Sequence, residues 1–172
     1  MATSKRRSAL VRGSIEPQDA RAARVFALDA LARRDYASED LRRKLIEKGY
    51  DAAVVAPLLD ALRAEKLLDD RRYMENFVGY HAARGQGPLR VRSELGRHGL
   101  EGQDVEEYIA AYPDWLAHLS IARQKKFGAQ LPKNYADRQR QARFLSYRGF
   151  TSAQIRMALG FDVDLDADSE ET

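Results

Sequence analysis

The chemistry most open to this 172-residue sequence is recognition of anions, because its arginines and lysines gather in two places. Arg123, Lys125, Lys126, Lys133, Arg138, Arg140, Arg143 and Arg148 crowd one stretch, and Arg84, Arg90, Arg92 and Arg97 form a smaller set ahead of it. Guanidinium and ammonium groups stay charged at neutral pH, and their donors match phosphate and carboxylate oxygens. Burying several of them unpaired is costly, so they are expected to reach solvent or a partner. If both sets share one face, they make a stripe able to contact phosphates or acidic protein loops.

Other arrangements offer less. Asp69 and Asp70 are adjacent, and adjacent residues on a helix point about 100° apart, which suits capping better than paired acid/base work. Gly85-Gln86-Gly87-Pro88 lacks the lysine and hydroxyl of a phosphate-binding loop and reads as a helix-entry turn. His81, His98 and His118 lack the spacing of a metal set. No catalytic residue, cofactor or metal site is expected. Trp115, Tyr135, Phe144, Tyr147 and Phe150 lie near basic residues and can stack on bases if exposed, although aromatics at helical spacing are more often core. Phe150 is expected to pack.

Charge is uneven along the chain. The net +3 is distributed as +2 over residues 1–19, +2 over 20–68, −2 over 69–112, +7 over 113–160 and −6 over 161–172. A field of this kind favours a polyanion or an acidic protein surface. The sequence contains no cysteine, which suits a reducing compartment, and no apolar run approaches the ~20 residues of a membrane helix. A soluble, cytoplasmic protein is expected.

These side chains must be positioned by helices, and the sequence shows how many. Gly49, Gly99 and Gly149 stand fifty residues apart, and aligning them brings neighbours into register without a gap. Leu41 aligns with Val91 and Gln141; Leu45 with Leu95 and Leu145; Tyr50 with Leu100 and Phe150; Val55 with Val105 and Ile155; Leu59 with Ile109 and Leu159. Gln141 alone breaks the apolar pattern. Spacings of four on either side of the glycine predict a helix, a sharp turn and a second helix. The glycine falls where a chain leaving a helix enters the left-handed region. Lys48, His98 and Arg148 precede it, where the helix dipole favours a cation.

A further amphipathic segment lies upstream of each pair. In the first repeat Pro17 suits an initial helical position, Val25, Leu28, Leu31 and Ala32 form a stripe, and Ser38 is placed to cap the second helix. Asp51 and Thr151 are candidate caps for the third helices of the outer repeats. In the second repeat Asp69 or Asp70 opens a helix carrying Tyr73, Phe77, Val78 and His81. In the third, Trp115, Leu116, Leu119 and Phe127 precede a long connection, Gly128 to Tyr135. The expected fold is all-α: three tandem three-helix repeats, 20–68, 69–112 and 113–160, in an elongated, curved array, between a basic flexible segment, 1–19, and an acidic flexible tail, 161–172.

The run Leu67-Leu68-Asp69-Asp70-Arg71-Arg72-Tyr73, then Arg84-Gly85-Gln86-Gly87-Pro88 and Glu94-Leu95-Gly96-Arg97-His98-Gly99, resembles the centre of the RecX family of regulatory proteins. Arg143-Phe144-Leu145 with Arg148-Gly149-Phe150 resembles the family's third repeat. The likeness covers roughly residues 20–160. Tyr73 stands where the family more often has Phe, and Ser146-Tyr147 where a more basic pair is expected. The resemblance implies a cytoplasmic modulator that lodges in the groove of the RecA filament on DNA and restrains strand exchange, ATP hydrolysis and co-protease activity. A monomer is expected, with weak direct contact to single- or double-stranded DNA.

The alternative is a free-standing DNA-binding module, since each repeat joins two helices through a glycine turn. Strongly salt-dependent DNA affinity without RecA distinguishes it. An enzyme is the third class, and no nucleophile, base or phosphate loop supports one.

Overall fold

The computed structural model describes residues 15–160. The expectations for residues 1–14 and 161–172 lie outside the described residues. Among those described there are nine α-helices and no strand. They are α1 (Ala20–Arg33), α2 (Ser38–Lys48), α3 (Ala52–Ala64), α4 (Asp70–Ala83), α5 (Pro88–Arg97), α6 (Gln103–Ala111), α7 (Trp115–Phe127), α8 (Tyr135–Tyr147) and α9 (Ser152–Leu159). The chain divides after Leu68 into two compact units.

Turn chemistry sets the helix ends. Gly49, Gly99 and Gly149 all adopt positive φ, at 110°, 75° and 88°. Each glycine ends the middle helix of its repeat in the conformation that costs other residues about 1–2 kcal/mol. Thr151 forms a reciprocal capping box with Gln154 at the start of α9, and the Asp69 carboxylate accepts from the Arg72 N–H at 3.0 Å. Three expected helix starts differ. Pro17 lies in a turn ahead of α1, and Asp19 caps that helix by accepting from Ala22 N–H at 2.8 Å. Ser38 is already helical and buried, because its hydroxyl is diverted to accept from Arg63 Nε at 3.1 Å. Asp51 holds the cap position without a side-chain bond; its backbone N–H donates instead to Pro17 O at 2.9 Å.

The first unit is a three-helix bundle in which α1 and α2 both pack on α3. Its core joins Leu41, Leu45, Tyr50, Val55, Leu59 and Leu62, the repeat columns among them, to Ala23, Ala27 and Ala30 of α1. The stripe expected on α1 is rotated: Val25 is 64% exposed and Ala32 is exposed, while Leu28 and Leu31 are only partly buried. Small alanines at helical spacing form the contact face because Leu58, Leu59 and Leu62 of α3 already fill the space opposite. Ile15 packs on this core, so residues 15–19 are part of the bundle rather than of a flexible leader.

The second unit holds the other six helices around one continuous core. Val91, Leu95, Val105 and Ile109 share it with Trp115, Leu119, Leu145, Phe150, Ile155 and Leu159. A three-helix piece of about 45 residues has too little interior to be secure alone. Repeats two and three solve this by merging: α4 packs on α7 as well as on α5. Fully buried Leu95, Leu119 and Leu145 each contribute about 1.5–3 kcal/mol of burial.

Candidate binding surface

The seam between the second and third repeats is made by backbone. Gly87 N–H donates to Arg148 O at 2.8 Å, and Leu89 N–H donates to Gly149 O at 3.0 Å. A side chain at Gly87 would overlap the Gly149 carbonyl, and a Cβ at Gly149 would come within 2.5 Å of Arg90 Cβ. The Arg148 guanidinium adds a bond to Arg84 O at 3.1 Å and lies 5.0 Å over the Phe144 ring. The turn read from sequence as a helix entry therefore also clamps two repeats together; Arg148 bonds across it, and the Arg90 backbone and Cβ lie against Gly149.

Beside the seam is a cleft floored by Ala83, Ile121, Ala122 and Phe144 and edged by Arg84, Lys125, Lys126 and Arg148. No aspartate or glutamate lines it. Helix α7 puts Lys125 and Lys126 in its last turn, where the helix dipole favours cations. Lys126 and Phe144 also line an adjoining groove that contains Lys133 and Arg140. The basic edge thus continues across the third repeat. Arg140 is paired with Asp137 at 3.1 Å and lies 5.5 Å over Phe127. Arg143 is exposed on α8 and Arg138 is half-buried there.

The two basic sets do not merge into a single stripe. Arg84 joins the cleft, whereas Arg92 and Arg97 line a separate groove between α5 and α6 with Glu101 and Glu106. Arg92 pairs with Glu106 at 2.5 Å and Arg97 with Glu94 at 3.1 Å, so acidic neighbours offset their charge.

Arg123 leaves the surface altogether. It is 4% exposed, and its guanidinium donates to Gln130 O at 2.9 Å and to Ala129 O at 3.0 Å. It also approaches Gln141 Oε1 at 3.4 Å. Buried Gln141, the polar exception in its column, thus faces a buried cation, and together they hold the connection from α7 to α8. That connection leaves carbonyls facing inward, and a long side chain with several donors satisfies them.

The aromatics also separate. Trp115 is buried, donating from Nε1 to Ile109 O at 2.9 Å, and Phe150 is core. Phe144 is half-buried, edge-on to Phe127. Tyr135 and Tyr147, at the two ends of α8, are exposed, Tyr147 by 82%. The histidines have local partners: His81 Nδ1 meets Gln86 Oε1 at 2.6 Å and stacks on Phe77, His98 lies edge-on to Phe77, and His118 Nε2 meets Tyr112 OH at 3.2 Å. No group of three acidic or histidine side chains able to hold a metal occurs among the described residues. None of the described helices is long and apolar enough to cross a membrane.

Three-helix domains in tandem, with a basic cleft carried by the last two, define an all-helical repeat protein. Models of the first, second and third three-helix domains of RecX match residues 23–62, 69–109 and 114–159. The chain is 40% identical to the regulatory protein RecX of Pseudomonas entomophila over 144 residues, 83% of this chain and 93% of that one. It is 42% identical to that of Halorhodospira halophila over 138 residues, 80% and 86% of the two chains. The chain belongs to the RecX family. Its fold is similar to the crystal structure of RecX from Lactobacillus salivarius, with a TM-score of 0.71 at 17% identity over 83% of this chain and 95% of that one.

Proposed function

We propose that this protein binds the RecA filament on DNA and restrains its recombinase, ATPase and co-protease activities, acting by binding rather than catalysis, as a cytoplasmic monomer. Family membership supports the regulatory role. The observation that carries the binding surface is the cleft edged by Arg84, Lys125, Lys126 and Arg148 without an acidic side chain. Such a cleft favours carboxylates on a protein or phosphates on a nucleic acid, and its apolar floor adds contact area that a bare charge patch lacks. A RecA ATPase assay on single-stranded DNA tests the reading. Substoichiometric protein slows turnover; unchanged turnover at saturating protein overturns it.

Direct DNA binding is the second reading, favoured by exposed Tyr147 following Arg143 on α8. An exposed ring beside cations provides a stacking platform for an unpaired base. Affinity for an oligothymidylate without RecA, falling steeply with salt, supports it; undetectable affinity removes it.

A further inference from the structure

Two features of the second unit lie outside the cleft, and their compositions match. The first is a groove of about 460 Å³ between α4 and α6. Met74, Leu100, Val105 and Tyr108 form its apolar lining, and Glu101, Asp104 and Glu107 stand exposed along its edge. Among the described residues no arginine or lysine pairs with Glu101 or Asp104, and Arg71, the cation in the lining, is taken by Glu75 at 3.0 Å. The space falls within the roughly 300–1,000 Å³ of sites that take small ligands, ample for a leucine with a proline beside it.

The second feature is the connection from α7 to α8. Leu131 is 55% exposed there, and Lys133 is exposed two residues on, with no carboxylate paired to it among the described residues. The buried Arg123 guanidinium holds the Ala129 and Gln130 carbonyls immediately ahead. Leu131 thus projects from a fixed backbone, which leaves little conformational entropy to lose on docking. No residue of this connection lines the groove of its own chain, so the match is between copies. Charge agrees on the larger scale, since residues 69–112 carry −2 and residues 113–160 carry +7.

We propose that Leu131 and Pro132 of one copy seat in the α4–α6 groove of a second copy, with Lys133 against Asp104 and Glu107. Loop and groove sit on different elements, so the contact is head to tail and leaves one of each free at the ends of a row. A leucine and a proline cover far less than the roughly 1,200 Å² of a stable interface, so free chains stay monomeric. The contact takes hold where copies are held side by side, because attachment to a common polymer raises their effective concentration. It goes beyond the filament reading and does not depend on it.

Paramagnetic broadening between copies tests the contact without RecA. With no cysteine in the sequence, Gln130→Cys gives a single attachment point for a nitroxide and keeps both Leu131 and Lys133. Mixed at high concentration and low salt with an isotope-labelled chain that carries no nitroxide, it is expected to broaden the amides of Met74, Leu100 and Tyr108. The amide of exposed Met157 on α9 is spared. Leu131→Asp in the nitroxide chain removes the broadening. Lys133→Glu reduces it several-fold, and Asp104→Lys/Glu107→Lys in the isotope-labelled chain restores it, with helicity unchanged by circular dichroism. Absent broadening, equal broadening at Met157, broadening that survives Leu131→Asp, or a charge exchange that fails to rescue overturns the proposal. So does a groove whose amides shift with a lysine-rich peptide but not with the second copy, which would assign it to another cationic protein. The RecA ATPase assay is scored separately: slowed turnover without broadening removes the pairing alone, and broadening without slowed turnover removes the filament reading alone.

Discussion

The Gly87 N–H donates to the Arg148 carbonyl at 2.8 Å, across a separation at which neither glycine of the contact, Gly87 or Gly149, has space for a Cβ. The second and third repeats therefore meet backbone to backbone, and the cleft beside Arg148 inherits its shape from that meeting. Gly49 occupies the same place in the first repeat, but a Cβ there would meet nothing nearer than Ile15 at 3.9 Å.

Gly49→Ala should accordingly cost about 1–2 kcal/mol, the penalty of a left-handed backbone alone. Gly149→Ala adds a collision with Arg90 and should cost about 3 kcal/mol or more. Hydrogen exchange at amides of α2 for the first variant and of α5 and α8 for the second reads each loss locally. Equal losses would show that the seam tolerates a methyl group.

Arg123→Met should reduce the stability of the second unit by about 3 kcal/mol, because the Ala129 and Gln130 carbonyls lose charge-assisted donors while the stem's volume is kept. Denaturant unfolding measures it. Unchanged stability with weakened filament binding would return Arg123 to the binding surface.

Lys125→Glu/Lys126→Glu should weaken filament binding by at least tenfold, whereas Arg92→Glu should change it less than twofold, since Arg92 already faces Glu106 and Glu101. Titration of labelled protein onto filaments at fixed salt compares them. The reverse ranking would move the contact to the α5–α6 groove.

The first unit should lose stability in acid. Arg24 donates to Glu65 at 2.7 Å, linking α1 to the end of α3, and holds its carboxyl below the usual carboxylate range; Arg42 does the same to Glu39. A depressed folded pKa stabilises the fold above the unfolded value near 4.5, and the contribution disappears as pH falls through the folded one. Stability should stay level from neutral pH to about 5 and then decline. In Glu65→Gln the decline should be shallower, by a small amount because both side chains are solvated. An unaltered acid limb would show that the pair contributes nothing to folding.

Much of the scaffold was legible from Leu45, Leu95 and Leu145 and their glycines, because helical spacing and a left-handed turn are local properties. All three leucines are fully buried and all three glycines have positive φ. The caps were less legible. Thr151 and Asp69 act as their types suggest, but Ser38 was drawn inward by Arg63, a residue twenty-five positions away. Among the candidate site residues, Lys125 and Lys126 carried a signal in their place at the end of α7. Arg123 carried one that is clear only with its partner: it and Gln141 are the polar residues that the described part of the second unit buries.

The sequence alone determined the number of repeats, their helix-turn-helix register, the family resemblance and the concentration of positive charge in the third repeat. Those follow from residue type and from spacing within a few turns of helix. Tertiary structure decided which cations share a surface. It merged two repeats through Gly87 and Gly149, brought Arg84 beside Lys125 and Arg148, placed Arg92 against Glu106 and buried Arg123 under inward-facing carbonyls. Helical spacing sets the direction of a side chain about its own axis; only the packing of one helix on another decides what stands opposite it.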